Sequence, residues 1–342
     1  MTLKQPIIIL GIESSCDDTA VSIIRNREVI SNIIIHQTIH KKYGGIVPEL
    51  ASREHDKYLF STVNKAIKIA NIKRSQLNAV SVTIGPGLIG SLLVGYSFAK
   101  SFSIGLNIPL IEVNHIQAHI LSHFIQNANL NNSFPKFPFL CLMISGAHTQ
   151  IIQVNDFFDM KILGSTLDDA VGESLDKIAR LFGFTYPGAI FLDKYSKLGN
   201  NKKFSFSKPN VKGLNFSFSG LKSQVYRFIQ YQLKDNSNFI KNNIHSLCAS
   251  IQKTISEILI EKIILAMKQT KIFRIVLAGG VSANNEIRKQ FFSLKKKNIE
   301  VFIPKKKYTT DNGAMIALVG FLKFKKKNFV TIKPYSKFTT FF

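Results

Sequence analysis

IIILGIESSCDDTAVSII, residues Ile7–Ile24, reads as a strand, a small polar turn and a second strand, and the same layout returns in FLCLMISGAHTQIIQV from Phe139. Further along, AVSVTIGPGLIGSLLVGYSFAK from Ala79 is a strand, a glycine turn and an apolar helix. RIVLAGGVSANNEIRK from Arg274 repeats that order. A duplicated hairpin, each copy followed later by strand, glycine turn and helix, predicts an α/β protein of two related lobes with a cleft between them. Its loops gather at strand ends, where open α/β sheets bind ligands. No long Pro/Gly/Ser linker separates the halves. The boundary is expected near the VNHIQAHIL segment or in NANLNNSFPKFP (Asn127–Pro138), which assigns 1–112 to the first lobe and 113–342 to the second. GNNKKFSFSKPNVKG, residues Gly199–Gly213, reads as a surface loop.

The chain of 342 residues, 45% hydrophobic, is long enough to bury a sizeable core and too apolar to be disordered. No run reaches the eighteen or so apolar residues of a membrane helix. The Ile7–Leu10 run is too short for a signal sequence and is followed by Glu13, Asp17 and Asp18. These features predict an untargeted cytoplasmic protein without a membrane partner. Cys16, Cys141 and Cys248 are odd in number and far apart, so they form neither a disulfide framework nor a CxxC metal site and suit a reducing compartment. Cys16 reads as a small turn residue rather than a reactive thiol.

A net charge of +24 permits a polyanionic partner such as RNA. The abundance of Lys, Asn, Ile and Phe with no Trp also fits compositional drift. The runs Lys295–Lys297, Lys305–Lys307 and Lys325–Lys327 then read as solvated surface.

In VNHIQAHIL, His115 and His119 stand at i and i+4, which on a helix sets two imidazoles one turn apart on one face. Asp311 in Thr310-Asp311-Asn312 would add an oxygen ligand and leave coordination positions open. Both imidazoles must be neutral to bind a cation, so activity should fall as pH drops through their titration.

Gly85, Gly87 and Gly90 spell GxGxxG, but the motif follows some eighty residues of other structure, and Pro86 fits a rigid turn better than a dinucleotide site. No GK[ST] follows any glycine loop. Ser145, Gly146, Ala147, His148 and Thr149 form a hairpin tip whose N–H groups and hydroxyls suit an anion or carboxylate. Gly279-Gly280 opens a helix near Asn284, an N-terminus suited to an anion. Asp169, Glu173 and Asp176 fall near one helical face beside Asp168 and ahead of YPGA, and in so basic a chain read as a ligand-facing patch.

Taken in order, GIESSCDDTA, YGGIVPELASREH, GPGLIGSLLVG, HxxxH, SGAHTQ, DDAVGESLDK, FSFSGLK, GGVSAN and TDNGAMIA closely resemble the TsaD family, the bacterial tRNA N6-adenosine threonylcarbamoyltransferase subunit once called O-sialoglycoprotein endopeptidase. The likeness runs from Leu10 to about Gly320. It implies an actin-like (ASKHA), two-lobed, ATPase-type fold. The implied activity is transfer of threonylcarbamoyl from threonylcarbamoyl-AMP to N6 of the adenosine beside the anticodon, in tRNAs reading codons that begin with A. His115, His119 and Asp311 match the family's metal ligands, with Fe(2+) the expected ion and zinc the alternative. Ser145–Thr149, Asp176, Ala189 and Asn284 match its substrate-binding positions, and Asp193 an acid often found nearby. Asp176 and Asn284 are expected to hold ribose and adenine by hydrogen bonds.

Two residues depart from the family pattern. Residues 147 and 189 are alanine where it has glycine, which would strain the chain if either needed positive φ. Residue 117 is Gln where Glu is common.

The resemblance also implies partners, a smaller inactive TsaB-like paralogue and a TsaE-like P-loop ATPase. LASREHDKYLFSTVNKAIKIA from Leu50 puts Leu59, Val63, Ala66, Ile67 and Ala70 at helical spacing, and LIGSLLVGYSFAKSFSIGL from Leu88 is apolar on nearly every side. These helices are the expected docking face, with Val63 and Ile67 pointing outward unless they are core. Three rival readings remain. A zinc protease needs HExxH, and Ile116 follows His115 here. An actin-like kinase or ATPase would turn over ATP alone. A non-enzymatic nucleic-acid scaffold would leave the metal residues unexplained.

Overall fold

The computed structural model describes residues 5–126, 133–297, 299–327 and 333–336. The chain forms two compact units, Met1–Phe134 with Thr310–Phe341, and Pro135–Thr309.

The first unit is a five-stranded sheet in the order β3-β2-β1-β4-β5. β1 (Ile8–Glu13), β2 (Asp18–Arg25) and β3 (Glu28–His36) form an antiparallel meander, and β4 (Ala79–Gly85) and β5 (Leu110–Asn114) extend it in parallel from β1. β1 is buried along its whole length, and strand alternation sends its side chains to two covers. Leu10 and Ile12 join Val21, Ile23, Val80 and Val82 in a core sealed by α1 (Pro48–Ala70) and α2 (Ile89–Leu106). Gly11 meets the last helix, α9 (Gly313–Lys326). A Cβ on Gly313 would lie 2.4 Å from Ser22 N, and one on Gly320 would lie 2.5 Å from Ser81 Cβ, so glycine is what lets α9 lie against the sheet. The short α3 (His115–Leu121) leaves β5 directly.

The second unit repeats the plan, with sheet order β10-β9-β6-β7-β8. β6 (Phe139–Ile144), β7 (Thr149–Asp156) and β8 (Asp159–Ser165) are the antiparallel meander, and β9 (Arg274–Ala278) and β10 (Glu300–Phe302) the parallel extension. α4 (Val171–Leu181), α5 (Ala189–Ser196), α6 (Ser219–Asp235), α7 (Phe239–Thr270) and α8 (Asn285–Ser293) complete it. The core joins β6 and β9 to α7 through Leu140, Leu142, Ile275, Leu277, Ile251 and Leu259. The two hairpins picked out in the sequence thus occupy equivalent places in two sheets of one topology.

Four expectations change. The division at residue 112 gives way to one in which α3 and α9 belong to the first unit, because α3 continues from β5 and α9 packs on β1, β2 and β4. Residues 127–132 of the expected linker, and the side chains of Lys296 and Lys297, lie outside the described residues. Val63 and Ile67 are core, 1% and 8% exposed, because they sit on the stripe of α1 that faces the sheet. Among the described residues, α2 is long and apolar enough to cross a membrane by length and composition, since its serines and glycines break the apolar runs without making it polar. The Gly199–Gly213 loop is anchored as well as exposed, for Phe206 enters the core and Lys208 pairs with Glu257 and Glu261.

Candidate metal centre and ligand pocket

In the first unit, Asn114 closes β5 and caps α3, its side chain accepting from Gln117 N–H at 2.9 Å. That cap makes His115 the first helical residue and sets His119 one turn on. Asp311 precedes Asn312, whose Oδ1 accepts from Met315 N–H at 3.0 Å and so caps α9. Two capped helix starts therefore bring the three side chains together. His119 Nε2 is 3.1 Å and His115 Nε2 3.6 Å from Asp311 Oδ1. The potential ligand atoms of the three residues all lie within 4.8 Å of one another.

His115 and His119 are buried and Asp311 is half-buried. Burial drives the His119 imidazole below its ordinary pKa. Burial pushes His115 the same way, but Glu13 and Asp311 outweigh it and raise the group to about 9. Two imidazole nitrogens and one carboxylate oxygen are a donor set suited to a divalent transition metal. The buried His119 Nδ1 has no hydrogen-bond partner among the described residues.

Glu13 escaped the sequence reading as a site residue. It is fully buried at the end of β1, with Oε2 2.9 Å from His115 Nδ1. The clue was an acid inside an otherwise apolar strand.

In the second unit, Thr149, Asp176, Asp193 and Asn284, among the residues matched to substrate binding, each hold the start of a helix through the side chain. At the β6–β7 turn, Ser145 Oγ accepts from the N–H groups of Ala147 (3.3 Å) and His148 (3.0 Å), which fixes the shape of the turn. Thr149 Oγ1 accepts from Val171 N–H at 2.8 Å, where α4 begins. Asp176 on α4 accepts from Ala189 N–H at 2.7 Å, the first residue of α5. Asp193 on α5 accepts from Asn285 N–H at 2.9 Å and from the Asn285 side chain, at the start of α8. Asn284 caps α8 through Ile287 N–H at 3.1 Å, and its Nδ2 donates to Gln252 Oε1 at 2.7 Å. Between α5, α7 and α8 lies a cavity of about 310 Å³ lined in part by Asp193, Gln252, Asn285, Lys197 and Lys289. The sequence reading missed Gln252, a polar residue in the apolar run of α7, and Asn285.

Other expectations are corrected. Asp168 accepts from the hydroxyls of Ser217 and Ser219 and the N–H of Phe218 at the start of α6, while Asp169 and Glu173 pair with Lys177. Three of the four acids therefore hold the unit together rather than face a ligand. Neither Ala147 nor Ala189 has positive φ, so the foreseen strain is absent. A Cβ at Gly87 would stand 2.5 Å from Ser15 O and one at Gly90 2.4 Å from Ser52 Oγ, which explains these glycines by close packing. Burial and the neighbouring Asp17 carry the Cys16 thiol well above its ordinary pKa, away from the reactive thiolate.

Comparison with known proteins identifies the family. The family model described as TsaD, tRNA N6-adenosine threonylcarbamoyltransferase, matches residues 28–318. A protein of that name from Christiangramia forsetii is 51% identical over 326 residues, 95% of each chain. The one from Riemerella anatipestifer is 51% identical over 331 residues, 96% of each chain. Among solved structures, full-length HypF in its phosphate- and nucleotide-bound form superposes with a TM-score of 0.62 at 15% identity, covering 96% of this chain and 47% of its own. Component A of the Acidaminococcus fermentans (R)-2-hydroxyglutaryl-CoA dehydratase gives 0.53 at 14% identity, covering 93% and 98%. These likenesses establish the actin-like ATPase fold. With the family model spanning most of its length and relatives half identical almost end to end, the chain belongs to the TsaD family of tRNA N6-adenosine threonylcarbamoyltransferases.

Proposed function

We propose that this transferase moves a threonylcarbamoyl group from threonylcarbamoyl-AMP to N6 of the adenosine next to the anticodon, in tRNAs reading codons that begin with A. The observation that carries the reading is the convergence of His115, His119 and Asp311 at the family's motif positions. In the reaction, adenosine N6 forms a bond to the carbamoyl carbon, the carbon–oxygen bond to phosphate breaks, AMP leaves with the electron pair and N6 gives up a proton. A divalent cation held by His115, His119 and Asp311, taken here as iron with zinc the alternative, would polarise the acyl-phosphate and stabilise the charge developing on AMP. The two-histidine, one-carboxylate set accommodates either ion, and iron is preferred because the TsaD resemblance implies it.

We assign the nucleoside end of the donor to the second-unit cavity. Its size and its mixture of amide, carboxylate and lysine groups suit an adenosine and its phosphate. Asn284 fixes the lining residue Gln252, and Asp176 and Asp193 set α5 and α8 around the cavity. Ser145–Thr149 we assign to the donor's polar groups.

The partners we propose are tRNA in the cytoplasm, a TsaB-like paralogue and a TsaE-like ATPase. Support for the paralogue comes from the outer faces of α1 and α2, where Phe60 (62%), Leu93 (47%) and Ile104 (70%) are exposed. The test is mass spectrometry of nucleosides from tRNA incubated with this protein, its partners, ATP, threonine and bicarbonate. Appearance of threonylcarbamoyladenosine is expected. ATP hydrolysis by this chain alone, with no modified nucleoside under any combination, would favour the kinase-like reading instead.

A further inference from the structure

We infer that Glu13 is a positioning residue for the metal site: its carboxylate holds Nδ1–H of His115 and so turns Nε2 of that ring toward Asp311 as the nitrogen a cation would take. The inference rests on reading His115, His119 and Asp311 as metal ligands.

Glu13 is fully buried, and a buried carboxylate is costly unless every oxygen is satisfied. Here Oε1 accepts from Ser15 N–H at 2.6 Å, and Oε2 accepts from Thr83 Oγ1 at 2.7 Å. The remaining partner of Oε2 is His115 Nδ1 at 2.9 Å. Ser15 in the β1–β2 turn and Thr83 on β4 clamp the carboxylate, so it meets the imidazole from a fixed direction. Ser15 Oγ also lies near Nδ1, at 3.3 Å, a longer and weaker alternative.

Each imidazole has two nitrogens, and the one held by an acceptor decides which is left to bind a cation. With Nδ1–H held by Glu13, Nε2 is the nitrogen that faces Asp311, 3.6 Å away, and the one from which an incoming cation would displace a proton. A carboxylate behind a ligating imidazole also raises its basicity, and losing such a partner weakens metal binding about 10- to 100-fold. His119 supplies the contrast, for its Nδ1 has no partner among the described residues. The two ligands of one turn are therefore unequal, and the difference traces to a residue 102 positions away in the chain.

The test uses the full-length chain stripped with chelator and titrated with Co(II), read by calorimetry and by the visible d–d absorption of the loaded site. Glu13→Gln keeps the size and removes the charge. We expect its Co(II) affinity to fall about 10- to 100-fold with a shifted d–d spectrum, while the metal-free protein keeps its circular dichroism. Unchanged affinity and spectrum would overturn the inference. Should Glu13→Gln fail to fold, Thr83→Val removes the hydroxyl that clamps Oε2 and leaves Glu13 and His115 in place. Several-fold weaker binding then supports the role, and wild-type binding overturns it. Failure of the wild-type chain to bind Co(II) at all would instead bring down the metal reading, a result distinct from failure of Glu13 alone.

Discussion

A Cβ placed on Gly11 of β1 would stand 2.4 Å from the backbone nitrogen of Ala317 in α9. That approach decides where α9 lies on the sheet and, through the loop ahead of it, where Asp311 lies relative to His115 and His119. Gly11→Ala should therefore be costly, by about 1–3 kcal/mol or more from overpacking, and should also weaken metal binding. Thermal unfolding and metal stoichiometry of the variant check both; a stable variant with full metal content would show the contact to be soft.

His115→Ala, His119→Ala and Asp311→Ala should each strip the cation and abolish tRNA modification while unfolding stays cooperative. Elemental analysis after dialysis provides the check. Retention of one ion per chain in all three variants would end the assignment.

Asp168 offers a pH test away from the metal. Burial pushes its carboxyl up, but hydrogen bonds from Ser217, Phe218 and Ser219 outweigh it and hold the group below its ordinary 3.8. The folded value is lowered, so the stabilisation is fully present above the ordinary value and is lost as pH falls through the folded one. Asp168→Ala should cost about 0.5–2 kcal/mol at neutral pH, the usual range for losing a helix cap. The gap between variant and wild type should close below pH 4. A gap that persists in strong acid would assign the loss to packing instead.

The helical faces of the first unit divide cleanly. Phe60→Glu with Leu93→Glu should leave the fold intact and abolish co-purification with a TsaB-like partner, because both side chains are exposed. Val63→Glu with Ile67→Glu should unfold the unit, because both are core. Undisturbed co-purification of the first pair would move the interface elsewhere.

If the positive charge serves tRNA, affinity should fall steeply with salt, with about −0.9 added to the log–log slope per duplex phosphate neutralised. Filter binding at several ionic strengths measures it. A flat response would mean that partners carry the tRNA and that the lysines reflect composition.

Much of the architecture was legible in the chain itself. The doubled pattern of hairpin, strand, glycine turn and helix announced two sheets, because alternation and helical spacing are local properties that any stretch of backbone expresses alone. The i, i+4 spacing of His115 and His119 was legible for the same reason, and an ordered set of motifs pointed to the TsaD family. What depended on distant partners was not. Phe60 and Val63 stand three residues apart on one amphipathic helix, and only the packed sheet decides which of them is core. Asp168 and Asp176 look alike in sequence; folding gives the first to the start of α6 and the second to Ala189 N–H. Whether α9 returns to the first unit hinges on glycine-sized gaps at Gly11, Gly313 and Gly320, which a list of residues cannot reveal. Glu13 meets His115 only because β1, β4 and β5 lie side by side. The chain thus determined its elements and its candidate ligands, while the close packing of elements far apart in sequence decided which polar groups are functional and which are structural.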